Sequence, residues 1–144
     1  MSPIQYEFKI IGNQDDPLGN PIPKLKMTGR QHWTKQAKRY VDWKMFVTRC
    51  FLDIHNVVPV PVSYIKDFRI VDLEVDTKPI TIPPGRKAYM EIMIRWKNNK
   101  RPDAENVFGS IADALFENDK YLAGSFDFAW EPTGQGMVEV RIKI

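Results

Sequence analysis

The stretch Lys87–Lys120, "KAYMEIMIRWKNNKRPDAENVFGSIADALFENDK", changes its hydrophobic period in mid-course. Met90, Ile92, Ile94 and Trp96 recur at every second position with Glu91, Arg95 and Lys97 between them, the alternation of a strand with one buried face. From about Asp103 to Phe116 the apolar residues follow a helical period instead. Val107, Ile111, Ala114 and Leu115 make one stripe, with Phe108 at its edge. Pro102-Asp103 is a helix start, with Asp103 as N-cap and Glu105 near the positive end of the helix dipole. A strand that runs straight into an amphipathic helix sets the expected fold class: both element types, packed face to face.

Outward from this stretch the pattern extends. Tyr6, Phe8 and Ile10 alternate with Glu7 and Lys9 as a half-buried strand. "GNQDDPLGNPIPK" is a loop with several turn signals. Lys35 to about Ile54 fits an amphipathic helix with Thr34 as N-cap. Its apolar face gathers Ala37, Tyr40, Val41, Trp43, Val47, Phe51 and Ile54, while Phe46 falls among charges as an exposed aromatic. Residues 59–86 hold alternation at Val71, Leu73 and Val75, with Phe68 and Ile70 out of phase, and read as an extended excursion or inserted hairpin over 63–86. Phe126, Phe128 and Trp130 mark a further strand, and Val138, Val140, Ile142 and Ile144 another. The expectation is an α+β fold: one domain over 1–144, a mixed sheet of about four to six strands, and two main helices packed on it.

The 144 residues carry a net charge of +3 with pI near 9.0, a mild excess that permits nucleic acid as a partner without demanding it. Cys50 is the only cysteine, which excludes an internal disulfide and CxxC metal sites. No apolar run approaches membrane-spanning length, and "MSPIQYEFKI" lacks the basic and apolar regions of a signal peptide. The expected setting is therefore soluble, reducing and cytoplasmic, with no membrane partner. His32 and His55 lack zinc-ligand spacing, no phosphate-cradling glycine motif is present, and Cys50 falls on the flank of an apolar helix face. No small-molecule cofactor is expected.

Lys97, Lys100 and Arg101 stand directly against Asp103, Glu105, Asp113 and Asp119. Each acid alone is explained as a helix cap or a solvated face. On a helical wheel Asn106, Gly109, Ser110, Asp113 and Glu117 share the face opposite the apolar stripe, with Asp103 near it; Glu105 projects elsewhere unless the first turn is loose. Together the residues suit another chemistry. A hard divalent cation takes carboxylate oxygens and substrate phosphate, and cations beside it neutralise the nucleic-acid backbone. Upstream, Lys24, Lys26, Arg30, Lys35, Lys38 and Arg39 surround His32 and Trp33, either a phosphate-contacting strip or a solvated loop and helix face.

The pattern "RPDAEN…ADALFENDK" resembles the signature of the RusA-type Holliday junction resolvases, small endodeoxyribonucleases of bacteria and phages. The matching elements are Arg101, Asp103, Glu105, Asn106, Asp113-Ala114-Leu115 and Asn118-Asp119. The resemblance is specific over residues 95–120 and loose over most of the chain. It implies a Mg²⁺-dependent homodimer, Mn²⁺ substituting, that nicks both strands of a four-way DNA junction. Asp103, Glu105 and Asp119 would be the catalytic and metal-binding acids, with Asp113 supporting. Lys97, Lys100, Arg101, Lys24, Lys26, Arg30, Lys35 and Lys38 would contact DNA. Three positions depart from the pattern: Glu105 replaces an Asp, Asn118 replaces the first acid of an Asp-Asp pair, and Gly109 stands where the family often carries a lysine implicated in catalysis. The last departure leaves an alternative, a branched-DNA-binding protein of the same fold with weakened catalysis. A small basic interaction protein without metal is a third.

Overall fold

The computed structural model describes residues 4–25, 34–55, 78–98, 103–130 and 134–144. Along the chain it forms β1 (Gln5–Ile11), α1 (Lys35–His55), β2 (Ala88–Trp96), α2 (Ala104–Leu115), β3 (Leu122–Trp130) and β4 (Met137–Lys143). The strands make one sheet in the order β1-β4-β2-β3. β4 runs antiparallel to both neighbours, so that Val140 faces Phe8 on one side and Ile92 on the other. β2 and β3 are parallel, with Ile92 opposite Phe126. A parallel pair needs a crossover, and α2 supplies it. Among the described residues the result is the expected α+β architecture: a mixed sheet of four strands with two helices.

The core lies between the helices and one sheet face. Met90, Ile92, Ile94 and Trp96 of β2, Phe8 and Ile10 of β1, and Val138, Val140 and Ile142 of β4 are buried there against Tyr40, Trp43, Val47 and Phe51 of α1 and Val107, Ile111 and Leu115 of α2. The opposite sheet face bears charges that pair across strands, Arg95 with Glu139 at 3.7 Å and Arg141 with Glu7 at 3.6 Å. These pairs are partly exposed and contribute little stability. Both helix starts are capped as the sequence predicts: Thr34 Oγ1 accepts from the Ala37 N–H at 3.1 Å, and Asp103 Oδ1 from the Glu105 N–H at 2.8 Å.

Packing shifts several expected faces. Ile54 is 63% exposed, because α1 is ending where that position comes round. Phe46 is not a free aromatic: it is half-buried, its ring 5.9 Å from that of Trp43. Phe126 and Phe128 stay 44% and 45% exposed on the edge strand, where the Phe108 ring lies 6.4 Å from Phe126. Gly124 makes that approach possible, since a Cβ there would overlap both the Phe108 ring and the Met90 carbonyl oxygen. Ser110, expected on a solvated face, is completely buried. α1 packs on that side of α2, and Ser110 is satisfied there: its hydroxyl accepts from Trp43 Nε1 at 3.0 Å and donates to the Val107 carbonyl at 2.9 Å. Of the excursion expected over 63–86, residues 63–77, with the alternation at Val71, Leu73 and Val75 and the out-of-phase Phe68 and Ile70, lie outside the described residues. Beyond them Ile80 is buried and bridges the end of α2, donating to Leu115 O at 2.9 Å and accepting from the Glu117 N–H at 3.0 Å.

Candidate functional site

The first turn of α2 presents two exposed acids. Asp103 sits outside the helix in an extended conformation, φ −61° and ψ 124°. One of its oxygens is committed to the cap and the other has no partner among the described residues. Glu105 is exposed in the first turn itself and makes no ion pair among the described residues. Two exposed carboxylates, one of them oriented by a cap, are oxygen ligands of the kind that a hard divalent cation takes. Mg²⁺ commonly takes only one or two carboxylates and fills its sphere with water and substrate phosphate.

The other two acids lie elsewhere. Asp113 is ten residues beyond Asp103 along the chain, about 15 Å at the helical rise. Its Oδ2 accepts from Tyr40 Oη at 2.8 Å and from Lys44 Nζ at 3.3 Å. Burial alone would raise its pKa, but the Tyr40 hydrogen bond and the charges of Lys44 and Lys78 outweigh that and hold it below the usual carboxylate value. The same packing pushes the Tyr40 hydroxyl far up, by burial first and by Asp113 second. Asp113 is thus a polar tie between the helices, half-buried rather than part of a solvated face.

Asp119 is exposed in the turn that follows α2, its carbonyl accepting from the Leu122 N–H at 3.0 Å. That turn leads into the start of β3, beside Ala88 at the start of β2. Asp103 lies at the other end, just beyond the terminus of β2 at Trp96. The twelve residues of α2 stand between them, a length of about 18 Å. Within one chain, therefore, Asp119 does not join Asp103 and Glu105. Among the described residues no three His, Cys, Asp or Glu side chains gather closely enough to hold a metal ion.

The cations divide as well. Lys26, Arg30, Lys100 and Arg101 lie outside the described residues, as do His32 and Trp33. Lys35 and Lys38 are exposed on the first turn of α1. Lys97 is engaged: its ammonium meets Asp16 Oδ2 at 3.1 Å and its N–H donates to Asn20 Oδ1 at 2.7 Å. Asp16 is held below the ordinary carboxylate value by the Leu18 N–H and by Lys97. Lys24 is exposed, yet its backbone is fixed to α2, its N–H donating to the Asn106 carbonyl at 2.8 Å. Its side chain crosses Gly109: a Cβ at that glycine would stand 3.3 Å from Lys24 Cδ and 3.7 Å from its Cβ.

Sequence reasoning did not find Lys44, Asp16 or Asn20 as partners of the charged groups. Lys44 falls one turn after Tyr40, a spacing that places both on one side of a helix, but nothing in the sequence says that α2 lies there. Two other reactive groups have structural roles. His55 Nε2 lies 2.9 Å from the Glu7 carbonyl with its ring against Tyr6 and Phe51. Cys50 is half-buried, its thiol pushed up to about 11 by burial and by Asp53. Among the described residues no helix is long and apolar enough to cross a membrane. No protein-family model matches the chain, and no curated protein matches it.

Proposed function

We propose that this protein is a Mg²⁺-dependent, structure-specific endodeoxyribonuclease of RusA type, acting in the cytoplasm as a homodimer on four-way or other branched DNA. The observation that carries the reading is the exposed pair Asp103 and Glu105 on the first turn of α2, oriented by the Asp103 cap and bordered by the tethered Lys24. The sequence pattern from Arg101 to Asp119 supports it independently.

Asp103 and Glu105 would hold the cation. When bound, it supplies charge stabilisation at the scissile phosphate and lowers the pKa of water. The N-terminus of α2 adds a fixed positive potential on the same side, which favours the approach of an anionic phosphate. Lys35 and Lys38, exposed on α1, contribute charge for holding the backbone of the DNA arms. Asp113, tied to Tyr40 and Lys44, secures α2 against α1.

The test is cleavage of four-way, flap and linear DNA over a titration of Mg²⁺ and Mn²⁺. The expected result is saturable, metal-dependent nicking of branched substrates in preference to linear duplex. Branched-DNA binding without cleavage under any metal would replace this reading with that of a binding protein, and the absence of both would remove DNA from the account.

A further inference from the structure

The geometry points to Lys24 as a catalytic cation of this site, its ammonium delivered to the scissile phosphate beside Asp103 and Glu105. The inference rests on the nuclease reading above and gives a specific role to Lys24, one of several loop and helix cations that the sequence offers.

Three observations combine. First, the Lys24 main chain is joined to α2 by the bond from its N–H to Asn106 O, 2.8 Å long. Asn106 directly follows Glu105. This bond fixes where the side chain starts, while the rotamer freedom of the lysine stem is a separate cost. Second, the aliphatic stem lies across Gly109, close enough that even a methyl group there would press on Cδ at 3.3 Å. Gly109 is therefore the channel in which the stem runs, which accounts for a helix-destabilising glycine in the middle of α2. Third, Gly109 is four residues after Glu105, the spacing of neighbours on one helix face, with Cβ positions about 5–6 Å apart. Asp113 stands at the same spacing on the other side of Gly109, but Tyr40 and Lys44 already hold it; the open direction for the ammonium, two bonds beyond Cδ, is toward Glu105. No acceptor among the described residues holds it, in contrast to Lys97 and Lys44, whose ammonium groups meet Asp16 and Asp113.

Hydrolysis of a phosphodiester consumes one water: a new P–O bond forms to the water oxygen, one ester P–O bond breaks, and the products are a terminal phosphate and a hydroxyl. Negative charge on the phosphoryl oxygens grows as the attacking oxygen adds. A fixed ammonium beside those oxygens offsets that charge, without surrendering its own proton, and is worth most where charge develops. Asp103 and Glu105 cannot do this themselves, since they share the sign of the phosphate.

The test uses the full-length chain, a four-way junction and single-turnover conditions with enzyme and Mg²⁺ saturating. Lys24→Met retains an apolar stem over Gly109 and removes the charge. The rate should fall roughly a hundredfold or more, while junction affinity changes by no more than a single phosphate interaction supplies. Lys24→Arg should keep part of the rate. Lys24→Ala clears the channel down to Cβ, and adding Gly109→Lys then raises an ammonium from beneath the same path; the double variant should recover activity over Lys24→Ala alone. Melting curves of each variant exclude misfolding as the cause. If Lys24→Met cuts at the wild-type rate while its affinity drops, Lys24 is a backbone contact only and the inference is overturned with the nuclease reading intact. A wild-type chain that cuts no branched DNA overturns both.

Discussion

Replacing Asp113 by alanine separates a structural carboxylate from a metal ligand. The substitution removes the acceptor of the Tyr40 hydroxyl, on a residue only 1% exposed, and the counter-charge of Lys44. A hydrogen bond to a charged acceptor contributes about 1.5–3 kcal/mol when its removal strands a buried donor. The Lys44 pair, at 3.3 Å and partly exposed, adds only about 0.2–1 kcal/mol. The expected destabilisation is therefore about 2–4 kcal/mol, or roughly 5–15 °C in melting temperature for a domain of this size. Its pH dependence has a defined sign. Asp113 is held below its unfolded value, so its contribution is complete above that value and disappears as pH falls through the lower, folded one. Melting curves of the wild-type and variant chains should run apart at neutral pH and begin to converge below about pH 4. Junction cleavage, assayed well below the melting temperature, should survive. Unchanged melting together with abolished cleavage would refute this reasoning and return Asp113 to the metal site.

Asp103→Asn should abolish cleavage with little change in melting, since asparagine caps a helix about as well as aspartate; junction binding should hold or tighten, and retained cleavage would remove Asp103 from the metal site. Lys35→Ala with Lys38→Ala should flatten the dependence of log K on log salt by up to ~0.9 for each phosphate no longer neutralised, and an unaltered slope would place the start of α1 away from DNA. Mixing Asp103→Asn chains with Asp119→Asn chains, each inactive alone, should restore nicking of one strand if every site takes Asp103 and Glu105 from one subunit and Asp119 from the other. No recovery in demonstrated mixed dimers would mean that Asp119 does not complete a partner's site.

The elements were legible wherever periodicity was strong. Alternation through Met90–Trp96 and Val138–Ile142 gave buried strand faces, and the stripe through Val107, Ile111, Ala114 and Leu115 gave a buried helix face. Capping chemistry placed the starts of both helices. What periodicity could not show was which second face each helix would lose to its neighbour. A wheel for α2 assigns Ser110 and Asp113 to solvent because both are polar; the structure gives them to Tyr40, Trp43 and Lys44 of α1, 67 to 73 residues away in sequence. Polar residues at such an interface are invisible to hydrophobic patterning, since it is their hydrogen bonds that make burial tolerable. The same limit hid the Lys24 stem: a glycine within a helix signals a close approach but not what approaches.

Sequence proximity also misleads about the acids themselves. Asp103 and Asp119 lie within one short motif, and the eye gathers them into one cluster. A crossover helix does the reverse, since it must carry the chain from the end of one parallel strand back to the beginning of the next. Because β2 and β3 are parallel, residues just before α2 and just after it are driven to opposite ends of the sheet, whatever their side chains are. On the proposed reading Asp103 and Glu105 share a cation in one chain, and Asp119 would meet them only across a two-fold axis that brings the foot of one α2 to the head of another. Such an axis would make each site incomplete in a monomer and would join assembly to chemistry. The paired nicks expected at a symmetric junction would then require no further device, since a subunit without its partner could make neither cut.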